Sequence, residues 1–166
     1  VPVFFLAARW AGDRVALAWL TAASLVFYGV WKEPGADWSP IPLLLFLGSI
    51  GFNFFVGMRL SRRHDAAGRS SRRWLAFGVA ANVAGLVVFK YTGFLVEQAN
   101  VLASTSWSAP RLVLPLGISF YTFQQIAYLV DASRGACREY RLLDYALFVS
   151  FYPQLIAGPI VHHAEM

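Results

Sequence analysis

The sequence predicts an all-α, polytopic transmembrane protein, on three observations. Apolar residues make up 58% of the chain and charged residues 14%, against roughly 45–50% and about 25% in soluble domains. The charges are bunched, which leaves five runs that approach the roughly 20 residues needed to cross a bilayer core. The basic residues between those runs fall almost entirely on alternate connections, the pattern that orients membrane proteins.

The first run is 15–31, and the second, 41–60, is interrupted only by Asn53. The third, 74–89, is short, with an extension through Tyr91. The fourth is 112–130 and the fifth, 142–161, carries Asp144. The apolar stretch 1–8 precedes them without an initiator methionine and is expected to be the tail of a truncated span. Residues 1–166 are therefore expected to be the N-terminal part of a single membrane domain, with about five transmembrane or re-entrant segments after that tail.

Alternating the spans sorts 11 of the 14 basic residues to one side. These are Arg9 and Arg14, the six arginines from Arg59 to Arg73, and Arg134, Arg138 and Arg141. Only Lys32, Lys90 and Arg111 fall on the other. Basic connections stay in the cytoplasm, so 59–73 is expected inside and 32–40 and 90–111 outside. Topology accounts for the net charge of +5, and no nucleic-acid partner is expected. Trp31, Trp38, Trp74 and Trp107 fall near span ends, where indole rings favour the interface. Cys137, the single cysteine, can form no intrachain disulfide.

Polar groups at membrane depth usually face the protein interior. In the fourth run, Gly117, Tyr121, Gln124, Tyr128 and Asp131 recur at spacings of four, three, four and three, which places them on one helix face. Thr122 and Gln125 widen that face. It reads either as the wall of a polar tunnel, with Tyr121, Gln124, Tyr128 and Asp131 as candidate lining residues, or as interhelical hydrogen bonding. Pro115 is expected in the first turn of this helix, where proline is tolerated. Gly78, Ala81 and Gly85 suit close helix packing, and Asn53 and Asn82 read as packing residues. In the fifth run Pro153 and Gly158-Pro159 break the helix, and irregular backbone at that depth survives only when buried in protein or lining a cavity. His162 and His163 follow as a titratable surface pair, with no metal site expected. No phosphate-cradling loop, G-x-S-x-G elbow or H-E-x-x-H motif is present.

The stretches LPLGISFYTFQQIAYLVDASRG (114–135) and DYALFVSFYPQLIAGPI (144–160) resemble the membrane-bound O-acyltransferase family, in particular its bacterial branch. SLVFYGVW (24–31), GFNFFVGMRL (51–60) and FKYTGFL (89–95) fit the same resemblance. It implies a multi-helix enzyme of the bacterial cytoplasmic membrane with a tunnel through the bilayer. The reaction it implies moves an acyl group, with acetyl expected, from a cytoplasmic thioester to a hydroxyl of a cell-envelope polysaccharide or its carrier. The donor would be acetyl-CoA or an acyl carrier protein, with no bound cofactor. The partners would be a periplasmic acyltransferase or a cytoplasmic acyl carrier, besides the lipid bilayer itself. The family's central histidine lies downstream of these motifs, so no catalytic residue is assigned in this chain, and His162 and His163 do not match it. The residues alone leave two further readings: a transporter or lipid-flipping protein without acyl-transfer chemistry, and a non-catalytic anchor for an acyl carrier.

Overall fold

Within a bilayer an apolar segment satisfies its backbone by closing its own hydrogen bonds, and every regular element among the described residues is helical. The computed structural model describes residues 12–32, 37–63, 69–108, 110, 112–136 and 141–151. Helix α1 (Asp13–Val30) follows Gly12, whose φ of 85° starts it, and carries Asp13 against its positive N-terminal dipole. Helix α2 (Ile41–Arg63) begins where the Ser39 hydroxyl accepts the Ile41 N–H at 3.3 Å. Helix α3 (Arg69–Leu86) passes through a π-helical turn (Val87–Tyr91) into α4 (Thr92–Ala103). Helices α5 (Ile118–Ser133) and α6 (Leu142–Ser150) complete the set.

Three boundaries differ from expectation. The third span does not end near Tyr91: helix continues to Ala103, so much of the connection expected over 90–111 is helical. Hydropathy marks where a chain leaves lipid, whereas a helix ends where its backbone is capped, here at Ser104 in the left-handed conformation. The fourth span starts at Ile118, six residues later than expected. Gly117 stands at its N-cap with φ 64°, which glycine adopts without strain, and Pro115 lies before the helix. Helix α6 stops at Ser150, two residues before Tyr152, whose helical conformation the following Pro153 disfavours. The broken segment expected over 152–161, the histidine pair and the tail 1–8 lie outside the described residues.

Helix α5 is central and packs against α2, α3 and α6, while α1 lies on α6 and, more lightly, on α2. Contacts set the directions. Phe46 meets Tyr121 and Ser49 meets Gln125, so α2 runs parallel to α5. The site of Gly78 faces Leu129 while Lys90 meets Ser119, so α3 runs antiparallel to it. These registers gather Arg59, Arg72, Arg73 and Arg134 at one end of the bundle and Lys90 at the other. The Arg59 guanidinium lies over the rings of Phe55 and Trp74, at 4.7 and 5.8 Å.

The core holds Phe46, Ile50, Val56, Leu60, Leu129, Tyr145 and Val149. The outside is also apolar: Val26, Leu44, Phe94, Val101, Leu102 and Phe123 are all exposed. Such a surface suits lipid rather than water. Among the described residues, three helices are long and apolar enough to cross a membrane: Asp13–Val30, Ile41–Ser61 and Ser71–Ala103. The chain is an all-α membrane protein.

Candidate functional site

A carboxamide placed mid-span must find partners inside the protein, because hydrocarbon offers none. Three spans each carry one near the middle, and the fold brings them together. Asn53 and Asn82 form a reciprocal pair: the Asn53 Nδ2 donates to Asn82 Oδ1 at 3.1 Å, and the Asn82 Nδ2 donates to Asn53 Oδ1 at 2.6 Å. Gln125 Oε1 accepts from Asn53 Nδ2 at 3.0 Å and from the Ser49 hydroxyl at 2.6 Å. Asn82 also donates to Gly78 O at 2.8 Å, and Asn53 to Ser49 O at 3.0 Å. This network ties α2, α3 and α5 at one level.

Beside the network lies a cavity of about 350 Å³. Ser49, Asn53, Asn82, Tyr121 and Thr122 contribute its polar lining; its other walls include Leu45, Phe52, Leu86, Phe89 and Ile118. Of the small-residue stripe on α3, only Gly78 makes a close approach. A Cβ there would overlap Leu129, whereas Ala81 and Gly85 line the cavity and a Cβ at Gly85 would meet nothing.

Four residues were the candidate tunnel wall. Tyr121, Gln124, Tyr128 and Asp131 all fall within α5, and the structure separates their surroundings. Tyr121 is buried against Phe46, whose ring stacks on Tyr28 at 4.3 Å, and its side chain borders the cavity. Tyr128 is wedged between Tyr145, at 4.3 Å between ring centres, and Gly57, where a Cβ would overlap the phenol. Gln124 buries both amide atoms with no partner among the described residues. Asp131 is half-buried at the arginine end, and its main-chain oxygen accepts from Arg134 and Ala136. The Tyr145, Ser24 and Ser150 hydroxyls are also buried and unpartnered among the described residues.

This chemistry is neutral. Amides and phenols can orient a polar ligand, but nothing in the network serves as a general base near neutral pH.

The sequence is 42% identical to the peptidoglycan O-acetyltransferase of Helicobacter pylori over 89% of the chain. It is 37% identical to the probable alginate O-acetylase AlgI of Pseudomonas aeruginosa over the whole chain. The teichoic acid D-alanyltransferase of Lacticaseibacillus rhamnosus matches at 23% over 69% of it. The chain is thus similar to acyltransferases of cell-envelope polymers, in line with its resemblance to the membrane-bound O-acyltransferase family. It spans about a third of these relatives, 31% of the length of each of the first two. No family model matches it, and no solved structure does.

In this chain the buried polar centre is built as much from α2 and α3 as from α5. By sequence alone Asn53 and Asn82 read as packing residues and Gln125 as a neighbour of the stripe. The signal was a mid-span amide at similar depth in each of three spans, with two, Gln124 and Gln125, on α5. Which amides meet depends on helix register, which a single sequence leaves open.

Proposed function

We propose that the whole protein is a multi-pass O-acyltransferase of the bacterial cytoplasmic membrane. It moves an acyl group, acetyl in the leading case, from a cytoplasmic thioester to a hydroxyl of a cell-envelope polysaccharide or its carrier. The observation that carries this reading is the identity, spread over nearly the whole chain, with proteins named for O-acetylation of peptidoglycan and alginate. The donor is acetyl-CoA or an acyl carrier protein. A periplasmic acyltransferase or a cytoplasmic acyl carrier is the partner, and the arginine-rich end faces the cytoplasm.

The reaction needs a base to take the proton of a weakly nucleophilic hydroxyl as it attacks the thioester carbon. The thiol then leaves and an ester remains. The amide network supplies no such base, and we read this segment as wall and scaffold. Gln124, with both amide atoms buried and unpartnered, is the residue best suited to hold a polar ligand, with Tyr121, Tyr128 and Asp131 on the same face.

The test uses membranes containing the full-length protein, a labelled acyl thioester and envelope polysaccharide. Thioester-dependent labelling of the polymer is expected, with Gln124→Ala lowering it about tenfold at unchanged protein level. Movement of polymer or carrier across the membrane without ester formation would instead favour the transporter reading.

A further inference from the structure

We propose that the α2–α3–α5 cavity holds a hydrocarbon tail of a membrane lipid whose anionic phosphate headgroup sits at Lys90 and the start of α5. This goes beyond acyl transfer and depends only on the bundle crossing a bilayer. The cavity, about 350 Å³, lies in the size range of small-ligand sites. The two amides that line it are already engaged, Asn53 and Asn82 binding each other, while Gln125 behind them accepts from Ser49 and keeps its Nε2 buried without a partner among the described residues. What remains for an occupant is chiefly carbon, from side chains such as Leu45, Phe52 and Leu86, which fits a hydrocarbon tail better than a sugar.

The charge lies at one rim. Phe89 and Ile118 line that end, and their chain neighbours Lys90 and Ser119 join them, the ammonium donating to the hydroxyl at 3.2 Å. Ser119 lies in the first turn of α5, whose N-terminus has no side-chain cap and carries the positive end of the helix dipole. The next carboxylate along the chain, Glu97, is two helical turns beyond Lys90, about 10 Å along the axis. The depth also fits. Lys90 stands about 24 Å along the helix from Trp74 at the arginine end, near the far boundary of a core about 30 Å thick. A lysine there reaches lipid phosphates.

Glycine geometry supplies the test. Cβ atoms at Gly48 and Gly85 would meet nothing within 4 Å, and both residues line the cavity, so larger side chains fill it without displacing backbone. Full-length protein in detergent is incubated with phosphatidylglycerol or phosphatidylcholine of identical tails, and bound lipid is counted by native mass spectrometry. Wild type is expected to retain phosphatidylglycerol about fivefold over phosphatidylcholine, the scale of one lysine–headgroup interaction. Lys90→Gln brings the two to parity. Gly85→Leu and Gly48→Leu each abolish retention of both at unchanged melting temperature. Equal retention by wild type, selectivity surviving Lys90→Gln, retention surviving both leucine variants, or no lipid bound by the intact protein overturns the assignment. The last result would mean that the rest of the polypeptide covers the cavity. Acyl transfer does not enter this readout, so either proposal can fail without the other.

Discussion

An amide in hydrocarbon is tolerable when its donors and acceptors are all used, and costly when one is stranded. Asn53 sits at the junction of Asn82, Gln125 and Ser49; its loss strands Asn82 Oδ1 and takes one of two partners from Asn82 Nδ2 and from Gln125 Oε1. Hydrogen bonds between membrane helices average about 0.6 kcal/mol, but leaving buried polar partners unsatisfied costs about 1–3 kcal/mol. The second effect is the larger. Asn53→Leu should therefore destabilise the protein by about 1–3 kcal/mol in a detergent unfolding titration, and Asn82→Leu similarly. Because the two share a reciprocal pair, the double variant should cost clearly less than the sum of the single ones. Strict additivity would show that the pair is not formed. Close packing gives a second prediction at this scale. Gly57→Ala drives a methyl into the Tyr128 phenol, which Tyr145 backs, and should cost about 1–3 kcal/mol. Gly51→Ala, where a Cβ meets nothing, should be neutral or stabilising by up to about 1 kcal/mol, measured in the same way.

Helix boundaries follow a different physics from helix cores. The cores were legible because charge in lipid is costly and local: Arg14, Lys32, Arg59 and Arg73 bracket α1, α2 and the start of α3 in the sequence itself. The ends were not. Lys90 looked like an exit from the membrane, but a single lysine near the interface can extend to the headgroups while its backbone stays helical. The chain continues to Ala103, and Ser71–Ala103, at 33 residues, is about 50 Å long. That exceeds a core of about 30 Å, so the helix tilts or projects. The π turn interrupts it next to Thr92, whose hydroxyl bonds back to Val88 O, a contact that competes with regular helical bonding. At α5 the error ran the other way. Leu112, Val113 and Leu114 are apolar enough to count as span, yet the helix waits for Gly117 to make a left-handed turn. Gly117→Ala should cost about 1–2 kcal/mol, because alanine in that conformation is strained. The loss should appear as a lower melting temperature with unchanged helical circular dichroism. An unshifted melting temperature would mean that the α5 start is placed by other contacts.

At the scale of the whole molecule, the arginines define an end before they define a side. Helix registers place Arg59, Arg72, Arg73 and Arg134 together and Lys90 opposite. That sorting was readable because it needs only alternation of spans, not their contacts. Which end faces the cytoplasm is a separate matter of insertion: translocating a connection with six arginines is disfavoured far more than translocating one with a lysine and an arginine. An arginine-rich inner end would also attract a polyphosphate-bearing thioester, so sidedness bears on the proposed reaction. Cysteine labelling decides it. In a full-length Cys137→Ser background, Ser106→Cys probes the connection after α4 and Ala66→Cys the arginine-rich one. A membrane-impermeant maleimide applied to intact spheroplasts should modify the first at once and the second only after permeabilisation. The reverse pattern would put the arginines outside, where no cytoplasmic thioester reaches them. The donor would then have to enter from the Lys90 end, beside the cavity between α2, α3 and α5.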